Sequence, residues 1–240
     1  MMKSFTYNGI QSKSFGVYIS GSGTYSSPAR AYEVVQIPGR NGDLLMPEKR
    51  LENVAVSYPC FILKEFRDRF GDFKSALLGF DGYKRLTDDY DPAHYRQAYM
   101  TGDIKPDVQR NLRAGGFNVN FSCKPQRWLI SGETETSITS SGETITNPTR
   151  QTAKPKLTVT GSGAVTINGI TLTISLPTAV TRVVIDCETC EAMHPTLAAV
   201  NLNQYVSCSS QNFPYLLPGN NVIAFEGVTQ VDITPRWYDL

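Results

Sequence analysis

The sequence is poor in the side chains and apolar runs on which many enzymes, metal sites and membrane proteins depend. Its 240 residues include only two histidines and five cysteines, and no apolar run approaches the ~20 residues needed to span a bilayer. The opening MMKSFTYNGI lacks the apolar core of a secretory signal. We therefore predict no membrane partner, and a chain that stays in the cytoplasm unless assembly exports it.

Motifs of catalysis are also missing. The sequence contains no GxSxG, HExxH, GxGxxG or phosphate-cradling glycine loop. Two histidines leave few general bases. Spacing alone does not exclude a pair of glycosidase carboxylates, because the fold can bring together acidic residues that are far apart among the 22 in the sequence. We nevertheless predict that the protein is not an enzyme and has no catalytic residues, cofactor or metal.

The cysteines are sparse and odd in number, so reduced thiols are expected. One CxxC pair, Cys187 and Cys190, follows the apolar stretch RVVID. Zinc normally needs a second such pair or histidines, and a thioredoxin-like motif opens a helix, which ETCEAMHPT does not favour. We interpret the pair as a turn after a strand.

Three aspartates cluster before a proline, at Asp88, Asp89 and Asp91. Their spacing lacks the glycine and terminal glutamate of a calcium loop, and no nearby histidine is expected to relay a proton. Aspartate next to proline is typical turn chemistry. The cluster therefore predicts the solvated turn of a hairpin.

Charge is divided unevenly along the chain. The net charge is +1, but residues 1–130 carry 18 Lys and Arg against 13 Asp and Glu, whereas residues 131–240 carry 5 against 9. A surplus of five positive charges, with no basic run interleaved with aromatics, is too small for a nucleic-acid footprint. Sequence-specific nucleic-acid binding is therefore not predicted.

The first half predicts strands around one helix. SFTYNGI, FGVYIS, AYEVVQI and NVAVSYP have the composition or alternation of short, half-buried strands, and they suggest a sheet or small barrel. An aromatic stripe predicts a core-facing helix from about Leu63 to Leu78, ended by Gly79. A one-sided strand should follow in GGFNVNFSCKP, closed by Pro125. The stripe consists of Phe66, Phe70, Phe73 and Leu77, and the inward residues of that strand are Phe117, Val119, Phe121 and Cys123.

The composition changes at about Gly132. Of residues 131–181, twenty are Ser or Thr and three are Lys or Arg. Alternating β-branched residues continue from there, with turns predicted at Gly161-Ser162-Gly163 and at Asn168-Gly169, and without helical periodicity. We predict two domains, 1–131 and 132–240, the second an all-β sandwich, and a mainly β protein as a whole.

The stretch QIPGRNGDLLMPEKR, residues 36–50, is the strongest candidate for a functional contact. Asn41-Gly42 predicts a tight turn, yet three apolar residues follow where a solvated loop is expected. An exposed apolar loop suggests contact with another molecule, the alternative being a plain exposed hairpin. The candidate contact residues are Arg40, Asn41, Gly42, Asp43, Leu44, Leu45 and Met46.

Eight stretches in order resemble one family. They are FTYNGIQSKSFGVYI, IPGRNGDL, the aromatic helix, YDPAHYRQAYM, GGFNVNFSCKPQRW, TNPTRQTAKPKLTVTGSG, VVIDCETCEA and DITPRWYDL. Together they cover most of the chain and are similar to the distal tail proteins (Dit) of long, non-contractile-tailed phages (siphoviruses), including prophages.

The resemblance implies a structural adaptor of the virion tail, assembled in the host cytoplasm. It implies a tail-tube-like β domain with one helix, followed by a galectin-like sandwich. The first domain would form a homo-hexameric ring, or a pair of such rings, in which the loop at residues 40–46 lies on the neighbouring subunit. Implied partners are the tail tube protein, the tape-measure protein and a baseplate hub, tail-associated lysin or fibre protein. DNA would only pass through the channel.

The alternative function is a carbohydrate-binding, lectin-like module for host recognition. Galectins hold sugar with His, Asn, Arg and a stacking Trp, and only Asn147 to Arg150 faintly resemble part of that set, without a preceding His. Trp237 lies near the C-terminus, and Trp128 falls in the other predicted domain. The sequence leaves no room for an inserted carbohydrate-binding module of the kind some family members carry.

Overall fold

The computed structural model describes residues 2–21, 23, 25–108, 113–197 and 200–240. Its contacts divide the chain into two compact units, Met1–Arg127 with Leu240, and Trp128–Asp239. Strands dominate both units, which confirms the prediction of a mainly β protein. The domain limits at 131 and 132 stay a prediction. Among the described residues, no helix has the length and apolarity needed to cross a membrane.

Strands and one helix make up the first unit. In chain order they are β1 (Phe5–Tyr7), β2 (Ile10–Gln11), β3 (Val17–Ile19), β4 (Arg30–Val35), β5 (Leu44–Leu51), β6 (Val54–Ile62), α1 (Phe66–Leu78), β7 (Lys84–Asp88), β8 (His94–Thr101), β9 (Pro106–Val108) and β10 (Gly115–Leu129), which continues past Arg127. The main sheet has the order β2-β1-β7-β8-β10-β6-β3, with β9 also on β10. An isolated antiparallel bridge between Lys3 and Ile19 joins β3 to the residues before β1, so the sheet closes into a small barrel.

The predicted aromatic helix is confirmed. Phe66, Phe73 and Leu77 of α1 are buried, and Phe70 packs against the same core. Phe73 is fully buried, with its ring centroid 5.9 Å from that of Phe117. Burial of each such side chain stabilises the fold by about 1.5 to 3 kcal/mol before entropy is counted. The helix therefore packs its aromatic face into the core of the first unit.

The predicted one-sided strand is confirmed in β10, but its end was predicted wrongly. Alternate residues from Phe117 to Cys123 are buried, and they pair with β6 as far as Cys123 opposite Val54. Pro125 does not close the strand, which runs on to Leu129. Because β6 no longer pairs with β10 beyond Cys123, the missing N–H of proline interrupts no bond to β6.

The second unit consists of strands and short turns. Its strands are β11 (Thr136–Ile138), β12 (Glu143–Asn147), β13 (Lys156–Ile167), β14 (Ile170–Ile174), β15 (Arg182–Asp186), β16 (Glu191–Met193), β17 (Val206–Cys208), β18 (Gly219–Thr234) and β19 (Tyr238–Asp239). Short 3-10 helices lie at Ile130–Glu133 and Asn203–Tyr205 in this unit, and a third lies at Ser12–Phe15 in the first unit. The long strands β13 and β18 pair with each other along their length. On its other edge, β18 pairs first with β12 and then with β11. On its other edge, β13 pairs first with β15 and then with β14. Their inward residues form one core.

One predicted turn of the second unit is confirmed and one is wrong. Asn168 and Gly169 both have positive φ, and they join β13 to β14 with Ile167 opposite Ile170. The segment Gly161–Gly163 is instead an irregularity inside β13, where the pairing with β18 shifts. A bulge bends a strand without ending it, so β13 passes between two sets of partners.

Candidate functional site

The candidate stretch belongs to a two-stranded hairpin that stands apart from both main sheets. Among the described residues, β4 and β5 pair only with each other, from Val35 opposite Leu44 to Arg30 opposite Leu51. We call this hairpin, residues 30–51, the arm. Two-stranded hairpins are only marginally stable alone, so the stability of the arm depends on the surfaces that it contacts.

The tip of the arm is turned by a proline and glycine that the sequence prediction passed over. The N–H of Arg40 donates to the carbonyl of Ile37 at 3.1 Å, with Pro38 and Gly39 between them. Gly39 has φ of 80°, which fits the third position of a type II turn with proline at the second. Asn41 and Gly42, where the tight turn was predicted, lie in a bend just after it.

The predicted loop position of the apolar residues is wrong. Leu44, Leu45 and Met46 begin β5 and are not in a loop, although all three are exposed, at 40%, 56% and 49%. The rest of the candidate set, Arg40 to Asp43, lies in the exposed tip. The strand at AYEVVQI is also not half-buried as predicted, because most of β4 is exposed.

Both faces of the arm carry apolar side chains. Side chains directly opposite each other in a hairpin share a face, and the faces alternate along each strand. One face therefore combines Tyr32 and Val34 with Leu45 and Pro47. The sequence reasoning missed Tyr32 and Val34, which are 45% and 53% exposed, because alternation in AYEVV was taken to mean a covered face.

The other face of the arm is mixed. It carries Val35 opposite Leu44, and Glu33 opposite Met46. The three candidate apolar residues are thus divided between faces, with Leu45 on one and Leu44 and Met46 on the other. A two-stranded hairpin is a single layer, so it has no second layer of its own to cover either face.

A bulge interrupts the strand pairing near the base of the arm. Between the pairs Tyr32–Pro47 and Arg30–Leu51, β4 has one residue where β5 has three. Lys49, within the bulge, has φ of 57°, an uncommon backbone conformation for a residue other than glycine. Bulges bend and twist a ribbon, so this one sets the direction in which the arm leaves the barrel.

The predicted hairpin at the aspartates is confirmed, and Asp88 has a structural role in it. β7 pairs with β8, and Asp88 follows Leu86 at the end of that pairing. Its carboxylate accepts a hydrogen bond from the Tyr58 hydroxyl and, at 2.8 and 3.0 Å, from the N–H groups of Tyr90 and Asp91. Burial, and then the nearby Asp88, raise the pKa of the Tyr58 hydroxyl, so this tyrosine stays a donor.

The other two aspartates also have protein partners. Asp89 accepts two hydrogen bonds from Ser4, from its N–H and its hydroxyl, both at 2.7 Å. Asp91 lies 2.7 Å from Nδ1 of His94 and 3.2 Å from Arg127, so a histidine does lie beside the aspartates, paired with one of them. In the described part of the chain, no cluster of three or more His, Cys, Asp or Glu is arranged to hold a metal.

The residues of the lectin alternative are largely engaged in the fold. Asn147 is 3% exposed and donates to the carbonyl of Gln151 at 2.9 Å, while its own side-chain oxygen accepts from the N–H of Thr149. Trp237 is 5% exposed, so its ring face is not open to a sugar. Of the set, Arg150 is exposed. These positions do not form a galectin-type sugar site.

Solved structures share this fold over its whole length. No family model and no curated protein matches the sequence. The crystal structure of SPP1 Dit (gp 19.1), described as a paradigm of hub adsorption apparatus in Gram-positive infecting phages, aligns with a TM-score of 0.69 at 13% identity, covering 100% of both chains. A chain of the phage P2 baseplate, activated with Ca, aligns with a TM-score of 0.53 at 8% identity, covering 97% of this chain and 98% of that one.

The corresponding baseplate structure with Sr aligns equally well, with a TM-score of 0.53 at 8% identity and 97% coverage of both chains. The structural neighbours are therefore a phage distal tail protein and phage baseplate chains. The resemblance seen in the sequence motifs is confirmed at the level of the fold.

Proposed function

We propose that this chain is a distal tail protein, which forms a hexameric ring and connects the tail tube of a phage to its baseplate hub or tail fibre. The observation that carries the proposal is the full-length alignment with SPP1 Dit, at a TM-score of 0.69. Because the alignment covers 100% of both chains, it includes both compact units. The likeness is therefore to the combination of the two units and not to a single β fold that many proteins share.

The arm supports the self-assembly part of the proposal. It exposes apolar side chains on both faces, and exposed apolar patches on soluble proteins commonly mark sites of contact. In a closed ring each subunit presents one surface to the next, so a single arm design repeats at every interface. We assign the arm, with Leu44, Leu45 and Met46, as a contact with the neighbouring subunit.

The adaptor role assigns partners to the two ends of the ring. The tail tube and tape-measure proteins would lie on one side, and a hub, lysin or fibre protein on the other, with DNA passing through the channel. The protein would act by binding alone and not as an enzyme. Its place would be the tail tip of the virion, after assembly in the host cytoplasm.

The mass of the purified protein in solution tests the ring. Light scattering coupled to size exclusion, over a concentration series at physiological salt, should give a mass of six or twelve chains, and electron micrographs should show six-fold rings. A strict monomer at high micromolar concentration would contradict the ring. A ring with a different number of subunits would contradict the hexamer but remain compatible with the arm as the contact between subunits.

A further inference from the structure

The turn between β15 and β16 holds two thiols at its two ends. Asp186 and Glu191 are the last paired residues, and Cys187 and Cys190 are the first and fourth residues of the turn between them. The ends of a four-residue turn lie within about 7 Å of each other at Cα. A disulfide joins cysteines whose Cα atoms are about 4.4 to 6.8 Å apart, so the backbone brings this pair into range.

Both cysteines also line one cavity of about 220 Å³, together with Lys154 and Phe213. Cys187 is 2% exposed, whereas Cys190 is exposed to solvent. The pKa of the Cys187 thiol is raised, first by burial, then by Asp186 and by Cys190. The two cysteines therefore border the same space, although they differ in access to solvent.

We propose that Cys187 and Cys190 form a redox-active pair, which a small-molecule disulfide such as oxidised glutathione converts into an intramolecular disulfide. The Cys190 thiolate attacks one sulfur of the oxidant, whose S–S bond breaks and releases one thiolate. Cys187 then loses its proton to solvent and attacks the Cys190 sulfur, breaking the mixed disulfide and releasing the second thiolate. The cysteines lose two electrons and two protons, and the oxidant becomes two thiols.

The order of the two steps follows from the surroundings of each thiol. Only the thiolate is nucleophilic, and an oxidant in solution reaches an exposed thiol first. Burial of Cys187 makes the second step the slow one, and its rate should rise with pH. The bridge would tie the end of β15 to the start of β16, whether or not the protein forms a ring.

The remaining cysteines serve as internal controls. Cys60 and Cys123 are buried in the barrel core of the first unit. Cys208 is the competitor, since its thiol donates to the carbonyl of Asn212, another residue of the cavity wall, at 3.3 Å. A bridge from Cys190 to Cys208 would be a different site.

The test is oxidation of the reduced, purified full-length protein with oxidised glutathione, followed by alkylation of free thiols and peptide mapping by mass spectrometry. Wild type and Cys208→Ser should both give the Cys187–Cys190 bridge, faster at alkaline pH. In Cys187→Ala the reaction should end at a glutathione adduct on Cys190. Cys190→Ser, a change at an exposed position, should give neither the adduct nor the disulfide.

Three results would overturn the proposal. They are a lasting glutathione adduct on wild-type Cys190, a bridge that involves Cys208, and free thiols at both positions after oxidation. If Cys187→Ala does not fold, the wild-type and Cys190→Ser maps still decide the question, because the second variant changes an exposed side chain.

Discussion

At the scale of single residues, the ion pair between Asp186 and Arg236 is the clearest stabilising contact of the second unit. Two guanidinium nitrogens of Arg236 donate to the two carboxylate oxygens of Asp186, at 2.8 and 2.6 Å. Both side chains are largely covered, with 14% and 26% exposed. Arg236 has φ of 59°, and its N–H donates to the carbonyl of Gly132, so the pair holds an uncommon backbone conformation in place.

Replacement of this carboxylate should make the stability of the second unit less dependent on pH. Burial acts to raise the pKa of Asp186, but hydrogen bonds from Arg236 and from the N–H of Glu188 outweigh it, and the net pKa is lowered from 3.8. A lowered pKa contributes stability that is complete above the unfolded value and is lost as the pH falls through the folded value. Asp186→Asn should therefore cost about 1.5 to 3 kcal/mol at pH 7 and much less in acid.

Denaturant unfolding at neutral pH and in acid measures this difference. Glu191→Gln, an exposed change on the same hairpin, is the matched control and should leave both values nearly unchanged. An equal loss for Asp186→Asn at both pH values would show that the ionised pair is not what stabilises the turn. No sequence pattern predicts this pair, because its members are 50 residues apart along the chain and only the fold brings them together.

At the scale of elements, the bend of β13 depends on a glycine. A Cβ atom on Gly163 would lie 2.1 Å from the carbonyl oxygen of Glu226 and 2.8 Å from the backbone of Gly227. These neighbours are backbone atoms of β18, which cannot move aside as a flexible side chain does. The two long strands therefore leave no room for a side chain at Gly163, where β13 changes partners.

Gly163→Ala should destabilise the second unit by about 3 kcal/mol, through overpacking of this contact. Gly71→Ala is the contrasting variant, since a Cβ there meets nothing within 4 Å and the position lies inside α1. It should stabilise the first unit by about 0.5 to 1 kcal/mol. Thermal melting followed by circular dichroism distinguishes the two, and a neutral Gly163→Ala would mean that the strands separate at little cost.

Local sequence patterns correctly predicted the elements whose structure does not depend on which strand they pair with. The stripe from Phe66 to Leu77 and the Asn168-Gly169 turn follow from spacing and backbone conformation alone. The glycines at Gly161–Gly163 also carry a turn signal, but whether they end a strand or bend it depends on β18, far along the chain. The arm was misjudged for the same reason, because alternation shows that a strand has two faces and not whether either is covered.

At the scale of the whole molecule, the arm exposes apolar side chains that nothing in the described part of the chain covers. Its candidate residues Leu44, Leu45 and Met46 are about half exposed, so covering the remainder would contribute about 1 kcal/mol each at an interface. A ring repeats this gain at every contact between subunits. Under the proposed assembly, the arm should therefore matter much more to the oligomer than to the fold of one chain.

Replacing Leu44, Leu45 and Met46 together by Ser should dissolve the ring and leave a folded monomer. The arm adds little to either core, and Pro38 and Gly39 still turn its tip, so circular dichroism melting should change little while the mass falls to one chain. Leu63→Ser combined with Leu78→Ser is the control, because these side chains are equally exposed elsewhere in the first unit and should leave the mass unchanged.

Variants of one face then identify which side of the arm is covered. Leu45→Ser changes the face that also carries Tyr32 and Val34, whereas Leu44→Ser with Met46→Ser changes the other. Because the first face is the more uniformly apolar, Leu45→Ser should raise the concentration needed for assembly by about tenfold, equivalent to about 1.4 kcal/mol. A triple variant that keeps its ring would make the arm an ordinary exposed hairpin, and one that unfolds would assign these side chains to the core of the chain itself.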